Sequence, residues 1–191
     1  MAIGVTKADL RKWVHSLVWT GEYLADEIPL LIEDSLGVGD EVDEDWLEKV
    51  IAKEVAKKRA AEKKWPKVTD WDRLDRAFRA LQEQGVIALH LAGFTQSDGL
   101  EEVEDDYKEA GGKKSNYAGH CFYTEQDQKH ALEGDGLYIG FGHLSGNDKK
   151  GVAVGRLLQV ALEAEDLKVE WDGTINSRLL VKNFRWQRRG P

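Results

Sequence analysis

Three stretches decide the fold: VIALHLAGFTQSDG at 86–99, GHCFYTEQD at 119–127 and GLYIGFGH at 136–143. Each carries a short apolar run of strand length, and the turns beyond the runs are crowded with His, Asp, Glu, Ser and Thr. Helix-like stretches separate the runs, so the order reads β-α-β-α-β. Successive parallel strands bring the turns that follow them to one edge of a sheet, where ligands of open α/β sheets bind. The expectation is that these three turns are neighbours and that function sits at their common edge.

Upstream, Thr69 followed three residues later by Asp72 has capping-box spacing with Asp in place of Glu. Trp71, Leu74, Phe78 and Leu81 form a helical stripe, and Gly85 supplies the stop. Before that, Thr6 is a candidate N-cap for a run carrying Leu10, Trp13, Val14, Leu17 and Val18, then Leu24, Ile28, Leu31 and Ile32, with Thr20-Gly21 and Pro29 as breaks. A further helix is expected from Glu44 to Lys64 behind Asp43, with Trp46, Leu47, Val50, Ile51 and Val55 on one side and lysines on the other. Downstream, the spacing predicts helices over 96–110, 125–133 and 149–165. Two last strands, 168–171 and 178–184, pair antiparallel through a turn at Asp172-Gly173. The resulting fold is α+β: an N-terminal helical segment, 1–67, packed on a C-terminal α/β sandwich, 68–191, of about five strands in a mixed sheet, as many as four of them parallel.

Composition narrows the function classes. With 41% hydrophobic and 32% charged residues over 191 positions, the chain reads as a globular protein with a sizeable core. No apolar run nears the roughly 18 residues of a membrane span, and MAIGVTKADLRKWVHS lacks the apolar region of a signal peptide. A lone cysteine, Cys121, cannot form an internal disulfide, and a cytoplasmic location is expected. The net charge of -8 opposes nucleic-acid binding, which rests on Lys and Arg releasing counterions. That charge is unevenly spread. Glu22 to Glu48 holds eleven acidic side chains and no basic one, whereas Lys49 to Lys67 holds eight basic residues against Glu54 and Glu62. Such blocks are usually solvated helix faces; the sharper reading is a docking surface for a basic partner.

His90, Asp98, Asp127 and His143 are the candidates for chemistry, joined by Glu125, Asp172 and Arg178. On a strand with Ile87, Leu89 and Leu91 on one face, His90 falls on the other with Val86 and Ala88. Asp98 falls in the first turn of a helix that Thr95 or Ser97 could cap, and Asp127 follows Thr124 at capping-box spacing, so both carboxylates have a structural task open to them. If two carboxylates and two histidines converged, they would suit a general acid/base pair or a divalent cation, and Arg178 an anionic substrate. No HExxH, CxxC or EF-hand loop occurs, so neither a metal nor a cofactor is expected. Cys121 reads as a buried thiol, because the adjacent His120 points to the opposite strand face. Gly140 and Gly142 lack any phosphate-loop pattern and read as sites of close packing. Trp13, Trp46 and Trp71 fall on apolar stripes, and Trp171 and Trp186 are expected to pack across the last hairpin. Basic and aromatic residues alternate in the tail FRWQRR, 184–189, which is better explained by arginines pairing with the protein's own carboxylates than by single-stranded nucleic acid.

The blocks HLAGFTQSDG, GHCFYTEQD, GLYIGFG, WDGT and RLLVKNFRWQRR, between Leu74 and Arg189, resemble the ordered blocks of a bacterial domain family of unknown function. The resemblance implies a bacterial cytoplasmic protein and supplies no reaction, while the helical part up to about Lys67 reads as more individual. The expected function is a non-catalytic binding or regulatory protein, of which a toxin-neutralising immunity protein is one form. Its contact residues would be Glu41, Asp43, Glu44, Asp45, Asp98, Glu101, Glu102, Asp105 and Asp106, facing a protein with a basic surface. A small-molecule hydrolase or metal-dependent enzyme using His90, Asp98, Asp127 and His143 is the competing expectation.

Overall fold

A computed structural model describes residues 5–36 and 42–191. The chain divides into two compact units, one formed by residues up to Lys67 together with Gln187–Pro191, the other by Val68–Trp186. Of the contact residues expected from sequence, Glu41 lies outside the described residues. No helix among the described residues is long and apolar enough to cross a membrane.

Among the described residues the first unit holds three helices, α1 (Lys7–Thr20), α2 (Ile28–Asp34) and α3 (Glu44–Glu62). Thr6 and Asp9 close a capping box on α1, Pro29 sits in the first turn of α2, and the Asp43 carboxylate accepts from the Trp46 N–H at the start of α3. Leu10, Val14 and Val18 from α1 meet Ile28, Ile32, Leu47 and Ile51 in a dry core, with Trp13 and Trp46 partly buried at its margin. Beside this core, buried Glu54 accepts from His15 Nδ1 (2.8 Å), Trp19 Nε1 (2.9 Å) and Lys57 Nζ (2.6 Å). The closing residues stay with these helices. Arg188 pairs with Glu22, Arg189 donates to the Pro66 carbonyl and the Gly190 N–H to Glu62, so the tail arginines do meet the protein's own acceptors.

The second unit runs α4 (Asp70–Glu83), β1 (Val86–Leu89), α5 (Gln96–Glu109), β2 (Gly119–Phe122), α6 (Glu125–Glu133), β3 (Leu137–His143), α7 (Asp148–Ala164), β4 (Val169–Glu170) and β5 (Leu179–Val181). The strands form one mixed sheet in the order β1-β2-β3-β5-β4. Side chains alternate across it. Val86, Ala88, Cys121, Leu137, Ile139, Leu179 and Val181 pack with α4 and α7 in the main core, while Leu89 and Phe122 meet Val103 of α5 on the other side. Trp171 stands edge-on to Phe141 (5.2 Å) and Trp186 edge-on to Tyr123 (5.7 Å), so each packs on a sheet aromatic rather than across the hairpin.

Strand direction departs from the expectation. Only β1 and β2 run parallel; β3 is antiparallel to β2, and β5 is antiparallel to both β3 and β4. The nine-residue α6 explains the reversal: it rises about 13 Å, whereas a parallel return would carry the chain back past a seven-residue strand of about 23 Å. Instead the chain turns at once into β3 through Gly136, whose φ of +82° is a left-handed conformation that side chains resist. At 14 residues, α5 is long enough for the parallel crossover that precedes it.

Candidate functional site

Two of the three turns meet. Where β1 and β2 end side by side, the Ala92 N–H donates to the Tyr123 carbonyl (2.9 Å) and the Glu125 N–H to the Gly93 carbonyl (3.0 Å), fixing the starts of α5 and α6 next to each other. Each start is closed by its own carboxylate. Asp98 accepts from the Thr95 N–H (2.8 Å), and Asp127 from the Thr124 N–H (3.1 Å) and hydroxyl (2.9 Å), in complete capping boxes. Bonds from the Thr95 backbone and hydroxyl hold the Asp98 carboxyl below its usual range. Asp127 goes further: it is buried and also accepts from Gln96 Nε2 (3.1 Å) and Arg178 Nη1 (2.6 Å). Arg178 in turn lies 4.9 Å from the centre of the Tyr138 ring.

The other expected partners lie elsewhere. His90 belongs to the α4 side of the sheet, stacked on Phe78 (4.7 Å) and beside Trp71 (5.5 Å), with Nδ1 3.1 Å from the Tyr123 hydroxyl and Nε2 3.5 Å from Asp75. Burial lowers its pKa against the pull of the Asp75 carboxylate, as for a packed, neutral histidine. His143 pairs in register with Gly119, the first residue of β2, which puts it on the opposite rim from Asp98 and Asp127. Its Nδ1 accepts from the Ser145 N–H (3.1 Å), locking it into a local turn. Thus His90, Asp98, Asp127 and His143 form no single constellation: the reversal of β3 removes His143, and strand alternation sends His90 through the sheet. Asp172 holds the 172–177 loop, accepting from the Thr174 N–H (2.8 Å) and the Ser177 hydroxyl, bonds that lower its pKa. Burial pushes the Cys121 thiol up, away from thiolate chemistry.

A pocket of about 160 Å³ lies on the α5 side of the sheet. Phe122 of β2 stands opposite Gly140 of β3, and His120 opposite Gly142. A Cβ at Gly142 would lie 2.7 Å from the His120 ring, and one at Gly140 2.8 Å from the Gln96 amide oxygen, so the two glycines clear the space those groups use. Of β3, β5 covers Leu137–Ile139, and past that stretch Ile175, Asn176, Ser177 and Arg178 line the pocket beside the second half of the strand. His120 is 9% exposed, and its buried Nδ1 has no hydrogen-bond partner among the described residues. Burial first, and the neighbouring His143 second, lower its pKa to about 4, so the ring is neutral at pH 7. Sequence reasoning missed this grouping because it weighed His120 only against Cys121. The signal was the facing pair GHCF and GFGH, in which two glycines oppose a histidine and a phenylalanine once the strands run antiparallel.

The acidic segments are surface. Asp43 caps α3 and lies 4.0 Å from Lys7, and Glu44 and Asp45 occupy that helix's first turn, where the helix dipole favours them. On α5, Glu101, Glu102, Glu104, Asp105, Asp106 and Glu109 are exposed. Lys108 reaches two of them, Glu104 and Asp105. Burial and the nearby Glu102 both raise the pKa of Glu125 at the start of α6. His130, Glu133 and Asp135 cluster at the other end of α6, all exposed.

No curated protein and no solved structure matches this chain. A family model described as a domain of unknown function, DUF6891, matches residues 5–190, and therefore takes in the N-terminal helices that the sequence blocks left outside. By that match over nearly its whole length, the chain belongs to the DUF6891 family.

Proposed function

We propose that this is a non-catalytic binding protein of the bacterial cytoplasm that docks a protein with a basic surface, with α5 as the docking element. A toxin-neutralising immunity protein is one form such a protein takes. The observation that carries the reading is the outward face of α5, where six exposed carboxylates meet one lysine of the same helix. Glu125, raised first by burial and then by the nearby Glu102, adds a further carboxyl beside that face. A basic partner is steered to such a face at long range. Phe94, 57% exposed just before α5, offers an apolar anchor beside the charges.

The test uses the full chain as bait in a bacterial lysate at low and high salt, with two charge-reversal variants. One carries Glu101→Lys, Glu102→Lys, Asp105→Lys and Asp106→Lys; the other carries Asp43→Lys, Glu44→Lys and Asp45→Lys. The expected result is a stoichiometric basic partner that is lost at high salt and with the α5 variant, yet kept by the α3 variant. A partner indifferent to the α5 reversal, or none at low salt, refutes the reading.

A further inference from the structure

We infer that the pocket between Phe122 and Arg178 is a binding site for a small carboxylic acid with a flat apolar body, its carboxylate on Arg178 and its body against Phe122. Among the described residues Arg178 is the one charged residue lining the pocket, and no acidic side chain lines it. Arg178 is already oriented, because Asp127 takes Nη1 and the Tyr138 ring lies beneath the guanidinium. Among the described residues its remaining nitrogens have no hydrogen-bond partner, and a guanidinium with a free planar edge matches a carboxylate in two parallel bonds. Asp127 does not compete for that edge. Its oxygens are committed to Thr124, Gln96 and Arg178 Nη1, and it is buried.

Size and walls then define the body of the ligand. A volume of about 160 Å³ compares with the roughly 150 Å³ engineered cavity that accepts benzene. Phe122, Leu100 and Ile175 supply apolar wall, while the Gln96 amide and the His120 ring fill the positions that side chains at 140 and 142 would take. His120 adds selectivity. A neutral imidazole whose Nδ1 is sealed without a partner is most economically the tautomer bearing its proton on Nε2, which leaves Nε2–H as a donor. A neutral donor and a half-exposed guanidinium together favour an acceptor-rich headgroup over a cation or an amine.

The probe is benzoate, titrated into the full-length protein and followed by the NMR shifts of the Gln96 and Asn176 side-chain amides, with benzamide as the uncharged control. Benzoate is expected to saturate with a dissociation constant on the order of 1 mM, as befits so small a ligand, and benzamide to bind at least about tenfold more weakly. Arg178→Lys keeps the charge beside Asp127 but loses the planar edge, and is expected to weaken benzoate about tenfold. Gly140→Ala displaces the flexible end of Gln96, which lines the pocket, and is expected to abolish saturation while the urea midpoint stays close to that of the parent. Equal affinity for benzamide and benzoate, indifference to both variants, or no saturation by about 10 mM benzoate each overturns the inference. Because the acidic face of α5 takes no part, a failure here leaves the docking experiment's outcome separate.

Discussion

Among individual residues, Glu54 and His120 both contribute to the pH response. Burial pushes Glu54 up, but hydrogen bonds from Lys57, His15 and Trp19 outweigh it and bring its pKa to about 2. An unfolded glutamate titrates near 4.5, so this stabilisation is complete above about pH 5 and fades as the pH falls toward 2. Glu54→Gln is expected to cost about 1–3 kcal/mol at pH 7, by urea unfolding, and to show a shallower loss of stability between pH 5 and 3 than the parent. His120 adds to acid lability from higher pH. Its ring stays neutral in the fold down to about 4, whereas the unfolded chain takes up the proton near 6.5, so stability drains away between those values as acid is added. Replacement by Gln is expected to flatten that part of the profile. Asp127→Ala strips four donors of their acceptor and leaves Arg178 alone, for an expected loss of about 3 kcal/mol in the same assay. At this scale the capping tasks of Asp98 and Asp127 were plain from the Thr-x-x-Asp spacing, and His90 was correctly placed on the face of Val86 and Ala88. That Arg178 closes on Asp127 was hidden, because 51 residues separate them and no local pattern records a pairing made through the sheet.

Elements were legible wherever short-range chemistry fixes them. Thr6, Thr69, Thr95 and Thr124 all cap the helices expected behind them, each with the aspartate three residues on closing the box. The direction of β3 was not legible. A strand following a helix has the same composition whichever way it runs, and the information lay in the length of α6 and the turn at Gly136 rather than in the strand. The expected strand over 178–184 shrinks to Leu179–Val181, because Asn183 takes a left-handed conformation (φ 55°) that ends the ladder. The facing strands yield a direct test. Gly142→Val places branched carbon where the His120 ring lies, and is expected to cost about 1–3 kcal/mol by denaturant unfolding. The same change in a His120→Ala background is expected to cost markedly less, since the obstructing ring is gone.

For the molecule as a whole, the sequence separates a helical part with alternating acidic and basic blocks from a sheet part, but leaves the last five residues on the wrong side. Aromatic Phe184 and Trp186 belong to the sheet core, and a reader of FRWQRR has no cue that the chain changes allegiance between Trp186 and Gln187. Ending the chain at Trp186 removes Arg188 from Glu22, Arg189 from Pro66 and Gly190 from Glu62. Amide hydrogen exchange is expected to show faster exchange across Lys7–Glu62 in the shortened protein, with the β1–β3 amides protected as before.

The grouping of Gln187–Pro191 with the helices sets an order on biosynthesis. The sheet unit has every one of its residues once Trp186 has left the ribosome, whereas the helical unit still waits for Gln187–Pro191. A nascent chain stalled between Trp186 and Arg188 would thus carry every residue of the sheet unit and lack part of the helical one, leaving Glu22 and Glu62 without their contacts to Arg188 and Gly190.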